Sequence, residues 1–308
     1  MGRLTEDARG VYVISVTPFE EGGEIDWDSL DRVTDRYLEA GADGLTILGM
    51  MGEAPKLTAE ESEAVVRRVI GRAGGVPVVV GVSAPGLAAL EGLSRSAMEA
   101  GAAGVMVAPP GALRTDAQIV SYYRTVAGTL GPDVPVVLQD FPLATGVQIS
   151  DEALGRIVDD CPSVVMLKHE DWPGLAKISA LRAAETEGRR RISVLCGNGG
   201  SFLPEEMARG ADGAMTGFAF PEMMVDVVRE MDEGRPDRAM DLFSAYLPLI
   251  RFETQPGLGL AVRKHALWRR GWIASPSLRR PGAGLDAVTA AEVDRLIARQ
   301  EARLAELG

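Results

Sequence analysis

The sequence predicts a (β/α)8 barrel followed by a C-terminal helical region. Three observations lead to this fold class. Eight short apolar segments rich in β-branched residues recur along the chain, helical patterns separate them, and the 308 residues exceed the roughly 250 that one barrel needs. Near-continuous apolar segments of this kind are typical of parallel strands buried on both faces. Eight such units favour a closed barrel over an open doubly wound sheet.

The predicted strands cover residues 11–19, 44–49, 77–83, 104–110, 135–140, 164–169, 193–198 and 213–220. A capping box from Thr58 to Glu61 marks the start of one intervening helix. The segments 41–44, 101–104 and 210–213 share a Gly-Ala-x-Gly pattern before a strand. The first glycine of each is expected to end a helix in the left-handed conformation.

The pattern changes to helices alone after Pro221. Helices are predicted over residues 222–234, 236–252 and 259–271, and a last helix is predicted to begin with a capping box from Thr289 to Glu292. The sequence therefore predicts two regions, a barrel over residues 1–221 and a helical region over residues 222–308.

Composition narrows the classes of partner and site. The formal charge of -12, from 44 acidic and 32 basic residues, disfavours binding to nucleic acid or to an anionic membrane. Two cysteines and two histidines are too few for a disulfide framework or a multi-histidine metal site, so we predict neither a metal nor a cofactor. The first ten residues lack an apolar signal segment and no later stretch is long enough to span a membrane, which predicts a cytoplasmic protein.

Lys168 is the first candidate for chemistry, because active sites of barrels lie at the C-terminal ends of the strands and the sixth predicted strand ends there. The chain has four lysines, and the other 28 of its 32 basic residues are arginines. An amine can lose its proton and attack a carbonyl, which a guanidinium cannot do. The alternative is a lysine that extends to solvent or pairs with Glu170, and its position by itself leaves both interpretations open.

Several short segments follow one another in a characteristic order. They are Thr17-Pro18-Phe19, Gly49-Met50-Met51-Gly52-Glu53, Leu57-Thr58-Ala59-Glu60-Glu61, Pro109-Pro110, Gln139-Asp140-Phe141-Pro142 with Thr145-Gly146, Lys168, Gly197, Gly210-Ala211-Asp212-Gly213 and Leu278-Arg279-Arg280-Pro281. Together these segments resemble the dihydrodipicolinate synthase and N-acetylneuraminate lyase superfamily of pyruvate-using barrels.

This resemblance implies that Lys168 forms an imine with a 2-oxo acid such as pyruvate. It also implies that the turn containing Met50 and Met51 binds the substrate carboxylate through backbone amides, with Gly197 and Met215 as further substrate contacts. The family has two threonines in place of the methionines. The alternative is that these two methionines simply fill the barrel mouth.

Gln139 stands where the family has a proton-transferring tyrosine, and a carboxamide cannot act as an ordinary acid or base. Glu170, two residues beyond Lys168, shares its predicted inward direction and is the candidate replacement, with an exposed loop carboxylate as the alternative. His169 and Asp140 are expected to point the other way. Weaker candidates for proton transfer are Asp140, Tyr12, Tyr122 and Tyr123.

Two further departures disfavour dihydrodipicolinate synthase itself. Ala144 stands where some members have an arginine for a second carboxylate, and Pro110-Gly111 offers no tyrosine to lend across a subunit interface. The glycine-rich segment 197–201 has the position of a barrel phosphate site, with a tight turn as the alternative.

The leading functional hypothesis is a Schiff-base carbon–carbon lyase or aldolase that acts on pyruvate or a related 2-oxo acid, with an aldehyde as the second reactant. A hydro-lyase on a sugar-acid-derived 2-oxo acid would use the same imine. A non-catalytic ligand-binding or regulatory barrel is the hypothesis from a different class, motivated by the missing threonines and tyrosine. By analogy with the family, a homo-oligomer, either a tetramer or a dimer, is expected.

Overall fold

The eight apolar segments form eight parallel strands in the computed structural model, which describes residues 2–308. Each strand pairs with the next in the chain, and β8 pairs with β1 to close the barrel. The predicted fold class is confirmed. The strands are β1 Gly10–Ile14, β2 Gly44–Ile47, β3 Val78–Gly81, β4 Gly104–Val107, β5 Val136–Asp140, β6 Val164–His169, β7 Ser193–Cys196 and β8 Gly213–Thr216.

Most strands are shorter than the apolar segments from which they were predicted. Most of the extra residues lie at the C-terminal ends, where the chain leaves the hydrogen-bonded ladder to form the loops of the barrel mouth, while β3 and β5 also begin one residue later than predicted. Alternation of side chains along each strand separates two buried layers. One layer fills the barrel interior, and the other packs beneath the surrounding helices. The interior layer includes Tyr12, Ile14, Val79, Met106, Val137, Met166, Leu195 and Met215.

Helices connect consecutive strands and cover the barrel. They are α1 Trp27–Glu39, α2 Ala59–Arg72, α3 Leu87–Glu99, α4 Asp116–Leu130, α5 Pro142–Thr145, α6 Asp151–Asp160, α7 Leu175–Thr186 and α8 Leu203–Ala208. The predicted capping box of α2 is present, because Thr58 accepts from the Glu61 amide and Glu61 accepts from the Thr58 amide. Gly41, Gly101 and Gly210 all have positive φ, as expected of residues that end a helix.

The C-terminal region consists of α9 Glu222–Asp232, α10 Pro236–Glu253, α11 Gly259–Arg269 and α12 Ala287–Leu307. Helix α9 packs against β1 and β8, and α10 packs against α9, α11 and α12. The division at residues 221 and 222 stays a prediction. Within residues 2–308, we find no helix with the length and apolar character that crossing a membrane requires.

The predicted start of the last helix was wrong. Helix α12 begins at Ala287, and its N-cap is Asp286, whose carboxylate accepts from the Thr289 amide at 2.8 Å and from the Thr289 hydroxyl at 2.9 Å. The Thr289–Glu292 pair therefore lies inside the helix. Asp286, which lies three residues before Thr289, occupies the cap because its carboxylate accepts from the Thr289 amide.

A buried carboxyl behind β7 gives the fold a predictable pH dependence. Glu206 of α8 is 5% exposed, and burial raises its pKa to about 7, although hydrogen bonding with the Cys196 thiol acts in the opposite direction. Between the ordinary pKa near 4.5 and about 7, the folded state holds a proton that the unfolded state releases. The free energy of unfolding therefore decreases as the pH rises through this range.

Replacing Glu206 by Gln is expected to remove this decrease in the free energy of unfolding. The variant should be more stable than the wild type by roughly 3 kcal/mol at pH 8 and equally stable at pH 4. Urea unfolding at both pH values measures the difference. Glu152→Gln, which alters an exposed carboxyl, is the control. A Glu206→Gln effect of the same size at both pH values would contradict the assigned titration.

Candidate active site

Lys168 and Gln139 lie side by side at the mouth of the barrel. The two residues are register partners on the neighbouring strands β6 and β5. Each follows an interior residue by two positions, Met166 or Val137, so both continue the inward-facing rows of their strands. They are 3% and 4% exposed, and the Lys168 ammonium nitrogen is 6.0 Å from the centre of the Phe141 ring.

Glu170 joins these two side chains into one hydrogen-bonded group. Its Oε2 atom is 2.6 Å from Lys168 Nζ and accepts a hydrogen bond from Gln139 Nε2 at 2.8 Å. The expectation that Glu170 shares the direction of Lys168 is confirmed, and the carboxylate is buried rather than an exposed loop group. The ion pair is also what the alternative interpretation of Lys168 expected, so this geometry by itself fits both interpretations.

Burial lowers the pKa of Lys168 below its ordinary value, and the positive charge of Arg263 acts in the same direction. The contact with Glu170 opposes this effect. An amine with a lowered pKa is neutral, and therefore nucleophilic, in a larger fraction of molecules.

Gly197 provides the space that Glu170 occupies. A Cβ atom at position 197 would lie 2.1 Å from Glu170 Cγ, far inside van der Waals contact. The Gly197 amide donates to the His169 carbonyl at 2.8 Å and so holds the end of β7 against β6. The structure thus gives Gly197 a role in positioning Glu170, and a direct contact with substrate stays a prediction.

The residues that alternate away from the mouth form a second cluster behind it. Lys177 of α7 lies 2.7 Å from Asp140 Oδ2, 2.7 Å from Asp171 Oδ2 and 2.7 Å from the Ile149 carbonyl. Asp140 points away from Gln139, as expected, and its partner Lys177 lies on helix α7. His169 also points away, toward the loop at Gly174, and burial lowers its pKa to about 4. Because Asp140 and Asp171 directly follow Gln139 and Glu170, this cluster holds the backbone next to both.

The turn from Gly49 to Glu53 follows β2 at the same end of the barrel. Residues Met50–Gly52 form a single 3-10 turn, in which the amides of Gly52 and Glu53 donate to the carbonyls of Gly49 and Met50. The amides of Met50 and Met51 are the first of this turn and have no carbonyl behind them within it. The Met51 side chain packs against the interior layer, whereas Met50 is 42% exposed.

Glu53 anchors this turn to the C-terminal region. The residue is buried in the left-handed conformation at φ 54°, and its carboxylate lies 2.6 Å from Lys264 Nζ and 2.7 Å from Lys56 Nζ. The Arg279 amide donates to it at 3.1 Å, and the Arg279 guanidinium binds both oxygens of Glu61. The segments 49–53, 57–61 and 278–281, which are distant in sequence, therefore form one structural unit at the mouth.

Replacing Lys264 by Met is expected to destabilise the fold by about 3 kcal/mol, because it removes one buried partner of the Glu53 carboxylate. Lys264 is fully buried, and burial lowers its pKa to about 8. Chemical unfolding measures the change. Lys56→Met, which removes the partly exposed cation from the same carboxylate, is the control and should cost about 1 kcal/mol or less. Equal losses in the two variants would contradict this account of the turn.

The remaining sequence candidates lie elsewhere. Met215 is fully buried in the interior layer on β8, below the mouth, and its contact with substrate stays a prediction. Tyr12 is in the same layer near the opposite end of the barrel, where its ring fills the space beside Gly44 at the start of β2. Tyr122 and Tyr123 belong to α4, and the Tyr123 hydroxyl donates to the Val107 carbonyl at 3.1 Å.

The glycine-rich segment 197–201 is a tight turn in which four of the five amides, those of Gly197, Gly199, Gly200 and Ser201, already donate within the protein. The Gly199 amide donates to the Thr216 hydroxyl at 2.8 Å, and the amides of Gly200 and Ser201 donate to carbonyls within the turn. These contacts fit the alternative of a tight turn rather than a phosphate site. Across residues 2–308, no three or more His, Cys, Asp or Glu side chains are grouped as a metal site.

Comparison of the whole sequence with known families identifies the family of this barrel. Residues 7–300 fit the model of the dihydrodipicolinate synthetase family. The chain belongs to this family. The resemblance read from the ordered segments is thereby confirmed, and with it the broad class of aldolase and lyase barrels.

Relatives within the dihydrodipicolinate synthetase family carry more than one activity. The chain is 33% identical to L-2-keto-3-deoxyarabonate dehydratase of Azospirillum brasilense over 92% of each chain. It is 30% identical to 4-hydroxy-tetrahydrodipicolinate synthase of Aquifex aeolicus over 76% of this chain and 78% of that one. The family therefore fixes the scaffold but leaves open the reaction of this chain.

Solved structures of the family superpose closely on this fold. Dihydrodipicolinate synthase from Rhodopseudomonas palustris has a TM-score of 0.96 at 54% identity, over 97% of this chain and all of that chain. YagE, a prophage protein of the family from E. coli K12, was solved in complex with pyruvate. It has a TM-score of 0.87 at 25% identity, over 95% of this chain and 98% of that chain.

Proposed function

We propose that the chain is a Schiff-base lyase in which Lys168 forms an imine with a small 2-oxo acid. The observation that carries this proposal is the buried Lys168 amine at the barrel mouth, 2.6 Å from the Glu170 carboxylate and beside Gln139. A buried amine next to a carboxylate can lose its proton to that carboxylate and attack a carbonyl carbon. The pyruvate complex of the E. coli family member supports a 2-oxo acid as the ligand class.

The first step joins the amine to the substrate. The lone pair of neutral Lys168 attacks C2 of the 2-oxo acid, the carbonyl oxygen takes up two protons and leaves as water, and a protonated imine remains. Glu170 relays both of these protons to the oxygen: one comes from the Lys168 ammonium before the attack, and the other comes from the same nitrogen after it has bonded to C2. Positive charge on the imine nitrogen then withdraws electrons from C3, which makes the next bond cleavage easier.

In the carbon–carbon lyase reaction, the bond between C3 and C4 breaks. A base removes the proton of the C4 hydroxyl, C4 leaves as an aldehyde, and the bonding electrons form an enamine at C2 and C3. Protonation of C3 and attack of water on C2 release pyruvate and restore Lys168. Glu170 is the proposed base, and Gln139 holds the Glu170 oxygen by donating to it.

The carboxylate of the 2-oxo acid is assigned to the turn after β2. The amides of Met50 and Met51, which open the 3-10 turn, can provide donors without a hydroxyl. Thr17 supports this assignment, because its hydroxyl donates to the Gly52 carbonyl at 2.7 Å and fixes the turn against the segment that follows β1.

A hydro-lyase reaction is the second candidate, favoured by the similarity to the A. brasilense dehydratase over nearly the full length of both chains. From the same imine, Glu170 would remove a proton from C3. The bond between C4 and its hydroxyl then breaks, and the hydroxyl leaves as water with that proton. One carboxylate is sufficient for both transfers, and Glu170 is the carboxylate in contact with the Lys168 amine.

We also propose that the reaction of this chain is not dihydrodipicolinate synthesis. Gln139 provides no phenol for proton transfer, and Ala144 provides no cation for a second carboxylate. The similarity to the R. palustris protein makes this a point to test directly, by assaying the chain for formation of 4-hydroxy-tetrahydrodipicolinate. Rapid product formation in that assay would overturn this part of the proposal.

Borohydride reduction tests the imine. Incubation with pyruvate or with L-2-keto-3-deoxyarabonate, followed by borohydride and intact-mass analysis, should give one covalent adduct per chain. Analysis of unreduced reactions then separates the two reactions: an aldehyde with pyruvate indicates carbon–carbon cleavage, and a product that has lost water indicates the hydro-lyase. The absence of adduct over a broad panel of 2-oxo acids would favour the non-catalytic barrel.

A further inference from the structure

Two glycines at the barrel mouth, Gly197 and Gly217, have no side chain, and side chains from other segments occupy the space beside them. Interior residues Leu195 of β7 and Met215 of β8 point inward, so Gly197 and Gly217, two residues further, hold the next inward positions. At position 197, the vacant place is filled by Glu170. At position 217, a Cβ atom would lie 2.1 Å from Nη1 of Arg263 and 3.0 Å from the Ile14 carbonyl oxygen.

Arg263 reaches this place from α11 in the C-terminal region. Its Nε donates to Glu253 and its Nη2 donates to the Gly217 carbonyl. Glu253 also accepts from the Ala219 amide at 3.2 Å, so the ion pair fastens α10 and α11 to the segment after β8. The side chain is 4% exposed, and Nη1 has no hydrogen-bond partner among residues 2–308.

A buried guanidinium nitrogen without a partner is costly unless something else accepts its hydrogens. In this position the natural acceptor is a ligand, because the inward side of Gly217 faces the same mouth as Lys168. Lys168 and Arg263 are both buried, and they are close enough for the positive charge of Arg263 to lower the pKa of Lys168. A molecule that reaches the amine therefore also comes near Nη1 of Arg263.

We propose that Arg263 is a specificity-determining residue that donates, through Nη1, to a hydroxyl oxygen of the substrate beyond C3. This inference rests on the proposed imine at Lys168 and adds the substrate class, a hydroxylated 2-oxo acid of the kind derived from a sugar acid.

The charge balance of the pair favours a hydroxyl over a second carboxylate. Glu253 neutralises Arg263, so Nη1 offers a strong donor from a pair with no net charge. A second carboxylate at this place would enter a buried site without a matching cation, which costs free energy. A hydroxyl accepts the hydrogen bond without that cost. Ala144 is consistent with this assignment, since it supplies no other cation.

Concentration-dependent trapping with two probes tests the proposal. Pyruvate has no hydroxyl beyond C3, whereas L-2-keto-3-deoxyarabonate carries hydroxyls there. For each protein, borohydride trapping gives the half-saturating concentration of both probes, and the readout is their ratio. Arg263→Lys loses a charge-assisted hydrogen bond to the hydroxylated acid alone. The half-saturating concentration of that acid, divided by the half-saturating concentration of pyruvate, should therefore rise by about 10- to 100-fold.

The choice of variants guards against a folding defect. Lysine keeps a cation for Glu253 but lacks the planar fork that reaches three acceptors. The double variant Arg263→Leu with Glu253→Leu removes the pair without leaving a buried charge, and it should show the same change in ratio. Thermal melting of both proteins confirms that they are folded, and Arg263→Lys decides the matter if the double variant does not fold.

The outcomes separate this proposal from the imine. An unchanged ratio would overturn the role of Arg263, whether the two half-saturating concentrations rise together or stay constant. A wild-type protein that traps pyruvate but not the hydroxylated acid would also overturn it, while the imine stands. A wild-type protein that traps neither probe would remove the proposed function itself.

Discussion

Replacing Lys168 by Ala is expected to abolish the borohydride-trapped adduct and to lower kcat/KM by more than about 10³-fold. The amine is the only group at the mouth that the proposed mechanism joins covalently to the substrate. Its removal also leaves Glu170 buried without its 2.6 Å cationic partner, although Gln139 still donates to it. Intact-mass analysis after reduction measures the adduct, and a product assay measures turnover.

Lys168→Arg separates the two roles of the lysine. Arginine keeps the positive charge beside Glu170 but stays protonated, so it cannot form an imine. This variant should therefore retain much of the fold stability and lose the adduct. Lys56→Ala, which removes a different lysine, should keep the adduct. An adduct of undiminished yield in Lys168→Ala would exclude Lys168 as the nucleophile and return it to a purely structural ion pair.

Replacing Glu170 by Gln should lower kcat by about 10²- to 10⁴-fold, the usual contribution of a general acid or base. The substitution keeps the size of the side chain and the hydrogen bonds to Lys168 and Gln139, but a carboxamide cannot transfer protons. Imine formation is slowed less than turnover, because water can assist proton transfer during attack on C2. The variant should thus still be trapped with pyruvate after long incubation.

Glu170→Asp is the matched variant for this prediction. It keeps a carboxylate one methylene further from the substrate, and its activity should fall between those of the wild type and Glu170→Gln. Single-turnover kinetics with each 2-oxo acid would distinguish slow imine formation from slow proton transfer. Full turnover in Glu170→Gln would show that another group moves the proton and would make Glu170 a partner of Lys168 only.

The sequence was sufficient for the fold because the barrel depends on local and repeated features. Apolar segments form strands, capping residues such as Thr58 start helices, and Gly41, Gly101 and Gly210 end them. The start of α12 was misplaced because two cap signals lay three residues apart, and the hydrogen bond from the Thr289 amide to Asp286 selects between them.

The candidate site could be predicted in part from the sequence, because it too depends on local features of the strands. Lys168, Gln139 and Glu170 lie at the ends of neighbouring strands, and alternation along a strand predicts which side chains face inward. Alternation also predicted that His169 and Asp140 face away. No local rule, however, predicts that one lysine on α7 would hold both Asp140 and Asp171, because α7 follows in the chain and only packing brings it there.

Lys168 could thus be selected from the sequence alone, as a rare lysine at the end of a buried strand within an ordered set of family segments. Its surroundings were decided by the tertiary structure. Arg263 comes from a helix 95 residues beyond Lys168 and fills the space that Gly217 leaves. Glu53 contacts Lys264 across a separation of 211 residues. Periodicity encodes which face of an element is buried, but the partner of a buried charge depends on how the elements pack.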